Sequence, residues 1–278
     1  MIKIVVDSGC DLNPEIKQEI GANVIPLNLQ IDGVDYIDDE KLDSDTYMEA
    51  MMASTNVPKT AAPSPERYLE SFKAQGSVFA VTISSKLSAS YNNACLAKDM
   101  FLDEAGDKFI HIIDSLTASA GESSIAIKLH ELIKNNLSEN EIVDKITYFV
   151  NNLRTYLILE KFDNLVKNGR MSPTIAKLAS ILSIKPICKA KDGQIVLHDK
   201  ARGYQKAATK LINIIKNDNI DFENAVLTIS HVKALQKAID FKDQIAKVVK
   251  FKDIIISETS GLCSTYAYMG GIVVSYYN

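Results

Sequence analysis

The sequence predicts an α/β protein of two domains, and three observations support this prediction. The 278 residues exceed the usual size of a single core. Hydrophobic residues make up 46% and charged residues 24%, the balance of a soluble globular protein. Apolar runs too short for helices alternate with longer amphipathic stretches, which is typical of βαβ units around a mainly parallel sheet. We expect an α/β domain at residues 1–155, with helices flanking a mainly parallel sheet, and a second α/β domain at residues 156–278.

The elements of the first half follow from caps, turns and hydrophobic spacing. Asn13 and Pro14 predict an N-cap followed by proline at the first helical position, and Ser138 with Glu141 predicts a capping box. Residues 54–65 hold three prolines and predict a loop. Strands are expected at residues 2–6, 23–31, 34–36, 78–83 and 109–113. Helices are expected after Asn13 and at residues 43–53, 66–74, 89–104, 119–134 and 139–154.

The second half has the same alternation. The dipeptide Asp192-Gly193 predicts a hairpin turn between residues 184–189 and 194–197. Further strands are expected at residues 156–159, 225–230, 253–257 and 271–276. Helices are expected at residues 162–167, 175–182, 204–216 and 233–248.

Charge and hydropathy exclude several classes of protein. The formal net charge is −4, and the 31 basic and 35 acidic residues are interspersed, so no basic stripe is available for nucleic acid. No apolar run is long enough to cross a bilayer, and the N-terminal segment reaches Asp7 too soon for the core of a signal peptide. We therefore expect a cytoplasmic protein.

Metal, disulfide and nucleotide sites are not predicted. The four cysteines, Cys10, Cys95, Cys188 and Cys263, are scattered and form no CxxC pair, so buried or idle thiols are expected. The acidic residues between 38 and 45 lack the glycine and closing glutamate of a calcium loop, and a solvated acidic loop is the expected structure. No phosphate-binding glycine motif occurs, so we expect no cofactor.

Hydroxyl side chains are concentrated where the strand at residues 78–83 meets the next helix. Ser84, Ser85, Ser88 and Ser90 lie at this end, where an open α/β sheet places its ligands and a helix N-terminus attracts an anion. Alternatively, the serines only cap and turn the chain. Thr60 lies on a second hydroxyl-bearing loop with small neighbours. If the two loops converge, they build a pocket of neutral hydrogen-bond donors.

A catalytic serine is the alternative interpretation, in which the protein is a serine-dependent lipid hydrolase or acyltransferase. This needs a base near the serine, and the GxSxG elbow is absent. His111 and His130 fall on a predicted strand and helix, where structural roles are expected. His198 and His231 lie in the second half, from which one of them could reach across a cleft.

Arg170 and Arg202 each follow or precede a glycine in a predicted turn. An exposed arginine usually increases solubility only. Two arginines carried by turns of one domain could instead bind a phosphate or an acidic partner.

Eight short motifs in order across the whole chain resemble the DegV family of bacterial fatty-acid-binding proteins. The first, Asp7 to Leu12, is similar to the family's opening Asp-Ser-Thr-x-Asp-Leu. The others are residues 26–38, PKTAAPS at 58–64, SSKLSASY at 84–91, residues 113–121, GRMS at 169–172, residues 184–193 and KARG at 200–203. Singly each motif is weak, but the ordered series identifies the chain as a member of the family.

The resemblance implies a fatty acid enclosed between and within two α/β domains, with its carboxylate held by hydroxyl groups. Thr60 and Ser88 would bind the carboxylate, with Ser84 and Ser85 nearby. Arg170 and Arg202 match positions associated with a kinase or phosphate interface. The protein would then be no enzyme but an acyl carrier that presents the acid to a separate fatty acid kinase, which forms an acyl phosphate, and transient contact with a membrane is compatible with this role.

The sequence departs from the family pattern at the head-group site. Many members have a histidine in a C-terminal His-x-Gly-Pro-Gly segment, but residues 265–271 contain none. Tyr266 could donate to the carboxylate instead, or the head group could differ from a plain fatty acid. Gly9 and Ala89 also replace the usual threonine and glycine.

Overall fold

The computed structural model describes residues 2–179 and 183–277, which form three β-sheets with helices around them. The strands in these ranges are β1 (Ile2–Asp7), β2 (Asn23–Ile25), β3 (Asn28–Ile31), β4 (Val34–Ile37), β5 (Lys59–Ala61), β6 (Ser77–Thr82), β7 (Ile110–Asp114), β8 (Arg154–Ile158), β9 (Ile184–Lys191), β10 (Gln194–Arg202), β11 (Val226–His231), β12 (Asp253–Glu258) and β13 (Ile272–Tyr277). The α-helices are α1 (Pro14–Ile20), α2 (Ser44–Ala53), α3 (Pro65–Phe72), α4 (Ser90–Ala105), α5 (Ala120–Lys134), α6 (Glu139–Asn152), α7 (Asp163–Lys167), α8 (Pro173–Ala179), α9 (Tyr204–Lys216), α10 (Leu235–Ala246) and α11 (Gly261–Ala267).

The first sheet has the parallel strand order β2-β1-β6-β7, as the alternation of short and long apolar segments predicts. Side chains alternate across it because successive residues of a strand point to opposite faces. Phe79 and Val81 pack with residues of α5 and α6, whereas Val78 and Ala80 pack with residues of α3 and α4. The prediction of a parallel sheet flanked by helices is confirmed.

The second sheet has the order β10-β9-β8-β13-β11-β12 and is antiparallel except between β11 and β12. Helices α9 and α10 cover one face. Helix α5 reaches this sheet from the first half: Thr228 Oγ1 donates to the Ala120 carbonyl at 2.8 Å. A Cβ on Gly121 would lie 2.8 Å from Thr155 Oγ1, so glycine permits this close approach. The two large sheets therefore share one central helix.

A third, three-stranded antiparallel sheet has the order β4-β3-β5. Its strand β5 lies inside residues 54–65, so the prediction of a loop throughout that segment is wrong. Helix α11 also lies where no helix was predicted. Both elements are short, and both carry side chains of the candidate site described below.

Several predicted boundaries shift. The helix predicted at residues 139–154 ends at Asn152, because Arg154 is already paired with Tyr276 in the second sheet. The chain leaves the first half at this point, and a division into two domains near residue 155 stays a prediction. The hairpin strands are longer than predicted, with Asp192 and Gly193 at φ 50° and 78° in the turn. The last residues of the helix predicted at 175–182 lie outside the described residues.

None of the described helices is both long and apolar enough to cross a bilayer.

Candidate functional site: an apolar cavity with hydroxyl side chains

A cavity of about 350 Å³ lies between the two halves of the chain. This volume falls within the roughly 300–1,000 Å³ of typical small-molecule sites. Leu157 and Val273 line it from the second sheet, Ile83 and Leu87 from the β6–α4 loop, and Leu262 from α11. Most of the wall is therefore apolar, and it is built from residues distant in sequence.

Two hydroxyl groups that line this cavity meet each other. Thr60 Oγ1 and Tyr266 Oη lie 2.7 Å apart, and either atom can donate to the other. Strand β5 places Thr60 opposite Leu29 in the third sheet, while Tyr266 lies near the end of α11. Tyr266 thus occupies, in the segment without histidine, a position from which its hydroxyl faces the predicted ligand Thr60.

Ser88 lines the same cavity and also shapes the chain. Its hydroxyl lies 3.0 Å from Ser90 Oγ and accepts the Ser90 backbone N–H at 3.2 Å, in the turn that begins α4. Ser90 is the first residue of that helix and is fully buried. Ser88 thus lines the cavity and stabilises the turn before α4, whose N-cap is Ala89 without a side-chain cap bond. A ligand role for Ser88 stays a prediction.

Ser84 and Ser85 lie beside the cavity and are not among its lining residues. The buried Ser84 hydroxyl donates to the Gly193 carbonyl at 2.8 Å and accepts the Lys86 N–H at 3.2 Å. The backbone N–H of Ser85 donates to Asp114 Oδ1 at 3.0 Å. These bonds tie the β6–α4 loop to the turn of the β9–β10 hairpin and to the end of β7. A ligand role for the two serines stays a prediction.

The structure places Arg170 and Arg202 in different environments. Arg170 stands in a turn and lines the cavity, with its guanidinium carbon 5.8 Å from the centre of the Tyr266 ring. Its Nε donates to the Leu87 carbonyl at 3.2 Å. Arg202 is exposed and is the last residue of β10, so its predicted turn position is wrong: pairing with Ile184 extends the strand to this residue. Of this pair, Arg170 alone contributes positive charge to the cavity, beside Tyr266.

Three buried carboxyl groups lie beside residues that line the cavity, and the sequence patterns predict no site role for them: Asp7 accepts the Ile83 N–H, Asp11 accepts from the Ser119 hydroxyl, and Glu122 is buried near them. Burial raises the pKa of Asp7 to about 6 and the pKa of Asp11 to about 7. Burial and the nearby Asp7 raise the pKa of Glu122 well above its usual range. A Cβ on Gly9 would lie 2.9 Å from Glu122 Oε1 and 2.5 Å from Ile83 Cγ1, so no side chain fits there. The sequence does contain a signal for two of these acids, because Asp7 ends the buried strand β1 and Asp11 follows shortly after it.

Asp38 corrects another expectation. The prediction of a solvated acidic loop is wrong for this residue, which is 4% exposed. Its carboxylate accepts two backbone N–H groups at the start of α11. The prediction of a solvated carboxylate is correct for Asp43, which is exposed and also caps α2.

The histidines have partners away from Ser88. His111 packs against Phe79, and His198 packs against Tyr156. His231 is buried and accepts the Ala234 N–H at 3.3 Å, and His130 lies 3.8 Å from Glu19. Within the described residues, no histidine lines the cavity.

Comparisons with known proteins agree with this architecture. Residues 1–278 match a family model described as an uncharacterised protein of the DegV family. A DegV domain-containing protein of Streptococcus pyogenes is 37% identical over 277 residues, which cover 99% of this chain and 98% of that protein. A crystal structure of a Ruminococcus gnavus DegV family protein refined with vaccenic acid has a TM-score of 0.93 and 34% identity, and covers 99% of each chain. The Streptococcus pneumoniae Fatty Acid Kinase (Fak) B3 protein loaded with linoleic acid has a TM-score of 0.92 and 34% identity, with the same coverage.

Proposed function

Because this chain belongs to the DegV family, we propose that it binds a long-chain fatty acid and presents the carboxylate to a separate kinase. The observation that carries this proposal is the hydroxyl pair of Thr60 and Tyr266 in the lining of a mostly apolar cavity. Similar proteins solved with vaccenic and linoleic acids support it. In this chain the ligands of the carboxylate are Thr60, Ser88 and Tyr266.

The apolar wall and the hydroxyl groups contribute differently to the affinity and selectivity of binding. Burying one methylene group gives about 0.8 kcal/mol, so roughly fourteen of them give on the order of 11 kcal/mol before the costs of association. A hydrogen bond to a charged group adds about 1.5–3 kcal/mol. The tail therefore dominates affinity, and the hydroxyl groups orient the acid and discriminate against ligands without a carboxylate.

Neutral donors suit a carrier whose ligand must still react. Hydroxyl groups stabilise a carboxylate by hydrogen bonding while the charge on its oxygens remains, and Arg170 adds a positive charge beside Tyr266. The carboxylate oxygen can then act as the nucleophile toward the phosphoryl group that the kinase supplies.

A serine hydrolase is less well supported by the same geometry. Its nucleophile would need a base within hydrogen-bond reach. Ser88 Oγ instead faces Ser90 Oγ, and Ser84 Oγ donates to a backbone carbonyl.

Mass spectrometry of lipid extracted from the purified protein tests the proposed function. We expect about one acyl chain per protein, because removing an apolar tail from this cavity into water costs on the order of 11 kcal/mol. The control is extraction after delipidation and reloading with oleic acid. A protein that carries no acyl chain and does not take up oleic acid would contradict the proposal.

We assign Arg202 to the contact with the kinase, since it is exposed at the end of β10 and lies outside the lining of the cavity. The change Arg202→Ala should leave the amount of bound lipid unchanged and lower the rate of acyl phosphate formation about tenfold, the effect of losing roughly 1.4 kcal/mol of contact with the kinase. The assay uses the fatty acid kinase of the same genome, and Lys200→Ala in the same strand is the control. An unchanged rate would remove Arg202 from the interface.

A further inference from the structure

Helix α11 carries Tyr266, and its first turn is held by a carboxylate from the other half of the chain. Asp38 Oδ1 accepts the Gly261 N–H at 2.7 Å, and Asp38 Oδ2 accepts the Leu262 N–H at 3.1 Å. These two N–H groups have no acceptor within the helix, because the first turn of a helix lacks carbonyls before it. Both oxygens of one buried side chain are thus used to fix the start of α11.

Asp38 is itself held in place by the backbone. Its N–H donates to the Leu27 carbonyl at 3.0 Å, directly after strand β4. A Cβ on Gly261 would lie 2.8 Å from Asp38 Oδ1 and 2.5 Å from Leu42 Cδ2. The contact between carboxylate and helix therefore requires a residue without a side chain at position 261.

The far end of α11 has contacts of its own. Thr265 Oγ1 lies 2.5 Å from the Tyr47 hydroxyl, and the Thr265 carbonyl accepts from Asn164 Nδ2 at 2.8 Å. Thr265 Oγ1 also donates to the Gly261 carbonyl at 2.7 Å, which links this end to the residue that Asp38 holds. Tyr266 follows Thr265 directly, so the position of its hydroxyl depends on both ends of the helix.

We propose that Asp38 is a positioning residue for carboxylate recognition: it fixes α11 so that the Tyr266 hydroxyl stays within hydrogen-bond reach of Thr60 and of the ligand's carboxylate. The inference rests on the proposed function. Asp38 then contributes to selectivity for acids. A displaced α11 moves the Tyr266 hydroxyl, which donates to the ligand's carboxylate, while most of the apolar wall stays in place.

The test compares two ligands of equal tail length, oleic acid and oleyl alcohol, with the full chain after delipidation. Asp38→Asn keeps the size of the side chain but leaves one oxygen for two N–H groups. The ratio of the two affinities should fall about tenfold, the effect of losing one hydrogen bond of roughly 1.4 kcal/mol to the carboxylate. Affinity for the alcohol should stay within about twofold, since the tail contributes most of it. Asp39→Asn, one residue away, is the matched control.

A double-mutant cycle distinguishes the positioning role of Asp38 from a purely structural role. In a Tyr266→Phe background, Asp38→Asn should change the acid-to-alcohol ratio by less than about twofold, because the donor that it positions is gone. If Asp38→Asn does not fold, Gly261→Ala displaces the carboxylate by steric contact and should lower the ratio in the same way. Equal losses for acid and alcohol, or an unchanged ratio, would overturn the inference alone. A wild-type protein without preference for the acid would overturn both the inference and the proposed function.

Discussion

Replacing Thr60 by valine and Tyr266 by phenylalanine together is expected to weaken binding of oleic acid about 100-fold. Each change removes one hydroxyl at nearly constant volume, and each hydrogen bond to a carboxylate is worth at least about 1.5 kcal/mol. Binding of oleyl alcohol should change much less, because the apolar wall is intact. Isothermal titration of the delipidated protein with both ligands measures the two affinities.

The single variants are expected to lose about tenfold each, with some coupling between them. Thr60 and Tyr266 bond to each other in the structure, so each single change leaves one hydroxyl without this partner. The matched control is Tyr268→Phe, whose hydroxyl accepts from Lys161 at 3.1 Å and which does not line the cavity. Full affinity for oleic acid in the double variant would show that the carboxylate is held elsewhere.

The second large effect concerns the pH dependence of stability. Asp7 and Asp11 are fully or almost fully buried, and their pKa values are raised to about 6 and about 7 from an ordinary 3.8. Asp7 nevertheless accepts the N–H groups of Gly9 and Ile83, so it is tied to the loop that leads to Ser88. Glu122 lies beside them and is fully buried.

A raised carboxyl pKa means that the folded state binds more protons than the unfolded state between the two pKa values. Stability from these groups is complete below pH 3.8 and is lost as the pH rises through about 6 and 7. We expect the free energy of unfolding to fall by on the order of 4 kcal/mol between pH 5 and pH 7.5 from Asp7 and Asp11. The four histidines oppose this trend, since burial lowers their pKa values. Urea denaturation at several pH values measures the balance.

The variant Glu122→Gln isolates the contribution of one acid. Glutamine keeps the shape and cannot ionise, so the variant should be more stable than the wild type at pH 7.5 and its stability should depend less on pH. The control is Glu131→Gln on the same helix, whose exposed carboxylate pairs with Lys128. A variant that keeps the wild-type pH profile would show that Glu122 does not contribute to it.

The large elements could be predicted because their patterns are local. Strands β1 and β6 contain short apolar runs at residues 4–6 and 78–81, and α6 begins with the capping box that Ser138 and Glu141 predict. The hydroxyl-rich end of β6 and the Thr60 loop also pointed to a common pocket, and the structure brings Ser88 and Thr60 to one cavity. Ser88 follows the parallel strand β6, whereas Thr60 lies on β5 of the antiparallel third sheet, so packing between the sheets brings the two hydroxyls together.

The short elements could not be predicted because contacts between distant residues decide them. Strand β5 has three residues, and its conformation depends on pairing with β3. Helix α11 has seven residues, too few to be stable without tertiary contacts, and its first two N–H groups donate to Asp38 from the other half of the chain. An acidic residue in a charged segment carries no local signal that separates a solvated carboxylate from a buried one.

The sequence by itself determined the α/β class, the parallel first sheet and the two hydroxyl-bearing segments, because hydrophobic periodicity and turn residues act over short distances. Only the tertiary structure decided which hydroxyls reach the cavity, that Tyr266 faces Thr60, and that Asp38 is buried. The physical reason is that these positions are set by hydrogen bonds and packing between residues about 200 apart in the chain, such as the bond from Gly261 to Asp38 at a separation of 223.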